Sequence, residues 1–149
     1  MKGLFSTSIF LIVFMTMAMS QPSVIDSLII KSSEISEKHT FLDELKCQSI
    51  QSKILYDSPE IYEGIIGKVL NKKFQTIEMS GEIGSILYFE FDRKADEARG
   101  FIGGLLWGGK KPNRSHPETI ITKGNVMIIL SFPYKSKIAK LLYELIEKK

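Results

Sequence analysis

One cysteine stands in the whole chain of 149 residues, so no disulfide can close within it. Exported domains of this size commonly lean on such bridges, whereas this one must hold together by burial. Cys47 is accordingly read as a small apolar side chain rather than a crosslink or a catalytic thiol. Histidine is nearly as scarce, with only His39 and His116, and these make no metal site by spacing. No GxSxG, HExxH, CxxC or P-loop pattern occurs, which removes the hydrolase, metalloprotease, thiol-redox and nucleotide-binding motifs of known mechanics. No metal and no cofactor is expected. An excess of one charge is also lacking: 20 Lys and Arg against 17 Asp and Glu give a net +3, with both signs interspersed. The basic residues Arg99, Lys110, Lys111, Arg114 and Lys123 form only a loose zone, read as a solvated loop, so nucleic-acid binding is not expected.

What the chain does have in quantity, at its start, is apolar sequence. Met1-Lys2 is followed by an almost wholly apolar run from Leu4 to Met19, and Ala18-Met19-Ser20 then places small residues ahead of polar Gln21-Pro22. This is the pattern of a secretory signal peptide. The run is shorter than the roughly 20 residues of a spanning helix, and Ser6, Thr7, Ser8 and Thr16 interrupt it. The expectation is cleavage between Ser20 and Gln21 and export to a periplasmic or extracellular space. Residues 21–149 then form a single α+β domain with its own core.

Along that domain the period of the apolar residues changes. Val24, Ile25, Leu28, Ile29 and Ile35, then Phe41, Leu42 and Leu45, predict a helical N-terminal region over 22–47, with Thr40 and Asp43 resembling a capping box. Residues 50–56 fit strand or helix. Ser58-Pro59-Glu60 predicts a helix start, with Ile61, Ile65, Ile66, Val69 and Leu70 as its buried stripe. Alternation then predicts strands around Gln75–Ser80 and Leu87–Phe91 joined through Gly81–Gly84, and a helix after Asp92 carrying Ala95, Ala98, Phe101, Ile102 and Leu105. A second hairpin follows, with Thr119–Thr122 and Val126–Phe132 flanking Lys123-Gly124-Asn125. Val126–Leu130 is apolar on both faces, as in a central strand. Ile138, Leu141, Leu142, Leu145 and Ile146 predict a last helix. A shift of about 41 residues overlays the two hairpin–helix units, pairing Phe91 with Phe132, Lys94 with Lys135 and Ala98 with Ala139. The expected fold is therefore a four-stranded antiparallel sheet from a duplicated ββα unit, with helices packed on one face.

One segment departs from ordinary core sequence. Gly100, Gly104 and Gly108 are four apart in Gly100–Gly109 and would form a stripe without side chains on a helix. Each helical glycine costs roughly 1 kcal/mol relative to alanine, so a compensating gain is required. That gain is either close packing inside the fold or a surface that meets lipid or a partner. Trp107 beside Lys110 and Lys111 suits such a surface. The expected activity is binding, without catalysis, of a partner protein, an envelope component or a membrane surface. It would use Gly100, Gly104, Trp107, Gly108, Lys110 and Lys111 with the adjoining Pro112–Pro117 loop. The alternative is a small exported hydrolase with His116 and a nearby carboxylate, such as Glu118, in its site. Asn113-Arg114-Ser115 also matches a glycosylation acceptor.

Overall fold

The computed structural model describes residues 22–109 and 111–149; the export segment expected at residues 1–20 and the side chain of Lys110 lie outside them. Five antiparallel strands form one open sheet: β1 (His39–Leu42), β2 (Val69–Met79), β3 (Glu82–Phe91), β4 (Thr119–Lys123) and β5 (Val126–Ser131), in the order β1-β2-β3-β5-β4. Five helices accompany it: α1 (Ile25–Leu28), α2 (Ile50–Asp57), α3 (Glu63–Ile66), α4 (Ala95–Trp107) and α5 (Lys137–Glu147). The fold is α+β.

The two hairpins follow from their turn residues. Ser80 and Gly81 both take positive φ, 51° and 78°. Two such residues twist the backbone in the sense that β2 and β3 require. Gly124, at φ 60°, does the corresponding work between β4 and β5. Alternation along the strands then sends side chains to two cores. On one face Ile77, Ile86, Tyr88, Ile128 and Leu130 meet Ile138, Leu142 and Ile146 of α5, together with Ile25 and Leu28 of α1. On the other, Leu87, Phe89, Phe91, Met127 and Ile129 meet Ala98, Ile102 and Leu106 of α4, with Leu55 of α2 and Ile66 of α3. All six residues of β5 are buried, as its apolar sequence requires of a central strand.

Four expectations are corrected. The sheet has five strands rather than four, because His39–Leu42 pairs with Thr76–Met79 instead of lying in a helix. This edge strand leaves Thr40 and Phe41 exposed and buries none of its four residues fully, so it carries no alternation to read. Second, helices cover both faces of the sheet, since β3 and β5 are apolar on both sides and each side needs cover.

Third, the duplicated unit finds no support. Because β3 and β5 are antiparallel neighbours, a rotation exchanging the two ββα units would run perpendicular to the sheet and keep both helices on one face. Instead α4 and α5 lie on opposite faces, and Phe91 and Phe132 enter different cores. Fourth, Ser58–Leu70 is no single helix. A 3-10 turn at Pro59–Tyr62 leads into the one-turn α3, which ends at Gly67 with φ 89°, and β2 starts at Val69. Of the expected stripe only Ile66 is buried and Val69 partly so; Ile61, Ile65 and Leu70 face outward.

Candidate functional site

The glycine segment forms the C-terminal half of α4 and the turn that ends it. Ile102 and Leu106 point to the sheet and are fully buried, while Phe101, Leu105 and Trp107 are half-buried on the flanks. Phe101 sits 5.8 Å, ring to ring, from Tyr62, where α4 packs beside α3. The glycines divide by what surrounds them. A Cβ at Gly84 would meet the carbonyl of Ser131 at 2.5 Å, so close strand packing demands that glycine. Gly103 faces the Trp107 ring, which a Cβ would meet at 3.3 Å. Gly108 ends the helix in the left-handed conformation, φ 58°. Gly100 and Gly104 have no such reason: both are exposed, and a Cβ at either would meet nothing within 4 Å. The close-packing explanation therefore does not hold for them.

Asp96, Arg99, Gly100, Gly103, Gly104 and Trp107 line a shallow groove of about 370 Å³ along this face. Its wall is fixed by the following loop. The Trp107 indole N–H donates to the carbonyl of Glu118 at 2.9 Å, and Asn113 Nδ2 donates to the carbonyl of Trp107 at 3.1 Å. Asn113 Oδ1 accepts the N–H groups of Ser115 and His116 at 2.9 and 3.0 Å. The amide expected as a glycan acceptor is thus employed in holding the loop. Lys111 is exposed beside it. On the far side of the loop a second groove, of about 490 Å³, runs between Pro112, Pro117 and Pro133 and the tyrosines Tyr134 and Tyr143.

The two residues expected of a hydrolase are placed differently. Glu118 is fully buried; its Oε1 accepts the hydroxyl of Ser49, and its Oε2 has no partner. His116 buries its Nδ1 without a partner, and no hydrogen bond or ion pair joins it to Glu118 among the described residues. Ser49 also caps α2 by accepting the N–H of Ser52 at 3.3 Å. Glu118 thereby ties β4 to the start of α2. Nearby, burial pushes the thiol of Cys47 up, against an opposing hydrogen bond from Ser52 and with a smaller push from Glu118. This polar knot gathers from distant segments, and nothing in the local sequence signals it. His39 is half-buried in β1, within reach of the Ser32 hydroxyl and the Glu37 carbonyl at 2.9 and 2.7 Å.

Sequence reasoning also missed a surface. Ile50 and Ile54 on α2, Ile61 and Ile65 around α3, and Leu70 at the start of β2 are exposed, Ile50 to 68% and Ile61 to 65%. Helical spacing was the right signal for neighbours on one face, but it does not say which way the face turns.

Among the described residues no group of three or more His, Cys, Asp or Glu is placed to hold a metal ion, and no helix is long and apolar enough to cross a membrane. Comparison with known proteins gives no match: no family model, no curated protein and no solved structure is significantly similar to this chain.

Proposed function

We propose that this is an exported binding domain whose working surface is the outer face of α4 around Gly100, Gly104 and Trp107, with Gly108 at the helix end and Lys111 beside it, and whose ligand is a partner protein. One observation carries the reading. Gly100 and Gly104 each weaken the helix by roughly 1 kcal/mol, and nothing inside the fold uses the space they leave. The gain then comes from what approaches from outside: a backbone or flat side chain that can lie against a helix without side chains. Trp107 supplies an aromatic wall, and Asp96 and Arg99 place both charge signs on the rim.

A protein partner fits better than a bilayer. The Trp107 indole N–H is already taken by the Glu118 carbonyl, which holds the ring against the fold instead of leaving it free to insert among lipids. The hydrolase alternative has less support, because a fully buried Glu118 offers a substrate no carboxylate.

Trp107, the only tryptophan, reports directly on this surface. Its emission should be unchanged by anionic or neutral lipid vesicles; a blue shift on adding vesicles would replace the protein partner with a membrane. Gly104→Leu should leave the fold intact and fill the groove. If a ligand found for the protein binds that variant as well as the parent, the surface assignment is wrong.

A further inference from the structure

The second groove, between the Pro112–Pro117 loop and the start of α5, supports a separate inference. It is a single furrow of about 490 Å³ walled by Pro112, Pro117, Pro133, Tyr134 and Tyr143. The two tyrosines are 42% and 41% exposed, and among the described residues neither hydroxyl has a hydrogen-bond partner in the fold. The turn that leads into α5 is strained. The N–H of Ser136 donates to the carbonyl of Pro133 at 3.0 Å, closing a four-residue turn with Lys135 at its third position. Lys135 has φ 61° there, a left-handed conformation that such a turn ordinarily gives to glycine or asparagine. The fold gains no buried contact from it: Lys135 is exposed, its ammonium 5.6 Å from the centre of the Tyr134 ring. Strain of this kind gathers at ligand sites.

The charges around the groove indicate what fills it. Lys135 and Lys140 line it, and Lys111 and Arg114 are exposed on the loop that carries two of its prolines. None of the four has an ion-pair partner among the described residues. Glu144 is the one acid in the lining. Glu118, next to Pro117, is buried and bound to Ser49, and Glu37 and Glu82 line an adjoining cleft with Lys137. The walls also limit how a ligand is held. Three of their residues are prolines, which have no N–H to donate, so a strand seeking a ladder of backbone bonds finds little here. A polyproline II segment needs no ladder, since its backbone stays solvated and its prolines dock on aromatic side chains.

We infer that this groove docks an acidic, proline-bearing extended segment of another protein, its proline rings against Tyr134 and Tyr143 and its carboxylates beside Lys135 and Lys140. A second copy of this chain offers no such segment. Pro59, the one proline with an acid within two residues on either side, is buried. The inference does not rest on the α4 surface; the two share a loop but not a wall.

The test uses the full chain and a fluorescent peptide of about nine residues, or three polyproline II turns, with a Pro-x-x-Pro core and flanking glutamates, read by anisotropy. One control peptide has lysine for each glutamate, and another has alanine for each proline. The acidic proline peptide should bind, the lysine peptide should not, and the alanine peptide should bind more weakly. Tyr134→Ala with Tyr143→Ala should weaken binding by about tenfold or more. Lys140→Gln should weaken it by about threefold and flatten its salt dependence. Lys135→Gly should melt no lower than the parent, because glycine accepts the positive φ, yet bind about threefold more weakly. Unchanged thermal melts establish that the other variants are folded, and Gly104→Leu should bind as the parent does, which separates this groove from the α4 surface. The inference is overturned if no peptide binds, if either control binds as tightly as the acidic proline peptide, or if the tyrosine variant binds undiminished. It is also overturned if the same tyrosines prove to carry tighter binding to single-stranded oligothymidylate, to phosphatidylglycerol vesicles, or self-association.

Discussion

The two faces of the sheet are covered in different ways. α5 is an amphipathic helix: Ile138, Leu142 and Ile146 are buried, and Lys137, Lys140, Glu144 and Glu147 stand in solvent, with Tyr143 the one large apolar side chain on its outer face, at the edge of the proline-lined groove. The layer on the opposite face buries its inner side just as fully, through Leu55, Ile66, Ile102 and Leu106. Its outer side, however, carries bare Gly100 and Gly104 on α4 and exposed isoleucines on α2 and α3. A helix with a charged outer face is finished by water. One with an apolar or empty outer face is not, and that difference is the ground of the proposed binding surface on α4.

The largest effects should be equal on the two faces, because both inner sides are true core. Ile102→Ala in α4 and Leu142→Ala in α5 should each cost about 2–5 kcal/mol in urea unfolding. A much smaller loss for Ile102→Ala would break the comparison by showing that the α4 layer is loosely seated. Next comes the knot that seats α2. Ser49→Ala removes both the helix cap and the hydroxyl bound to Glu118, and should cost about 1–3 kcal/mol.

A pH effect belongs to the α5 face. Glu90 is held below the usual carboxylate range by hydrogen bonds from the Ser23 hydroxyl and Asn71 amide, at 2.7 and 2.8 Å, which outweigh the opposing effect of burial. A carboxylate with a depressed folded pKa adds stability that is present above its unfolded pKa and lost as pH falls through the folded one. Acid should therefore release the N-terminal segment at Ser23. Glu90→Gln should show a shallower loss of stability on acidification below the ordinary carboxylate range; an unchanged slope would remove Ser23–Glu90 as the clasp. The smallest effects are outermost. Ile61→Ser and Lys140→Ser should each change stability by less than about 0.5 kcal/mol, in thermal or urea unfolding.

Much of this fold was legible in the sequence, for identifiable reasons. The two hairpins, the central position of Val126–Leu130 and the α5 stripe all rest on periods long enough to read, with Gly81 and Gly124 marking the turns. β1 was not legible, because an edge strand of four residues with its middle pair exposed has no apolar alternation. The break at Gly67 hid the β2 start at Val69. Periodicity groups Ile61 with Ile65 correctly, but an isoleucine looks the same inside and out; only the finished sheet shows that the inner places are already taken by Leu55 and Ile66. The stripe of Gly100 and Gly104 is legible as a spacing, but its openness is a property of the finished fold, which leaves nothing within 4 Å of a Cβ at either position. The knot of Ser49, Ser52 and Glu118 joins residues 69 positions apart, beyond the reach of any local pattern.

The central claim is that the outer face of α4 is surplus to the fold, and equilibrium urea unfolding of the Gly100→Ala, Gly104→Ala double variant tests it most directly. With open space above both positions, the variant should be more stable than the parent by about 1–2 kcal/mol. A variant that is less stable would show that the fold itself requires the two glycines, and would contradict the account.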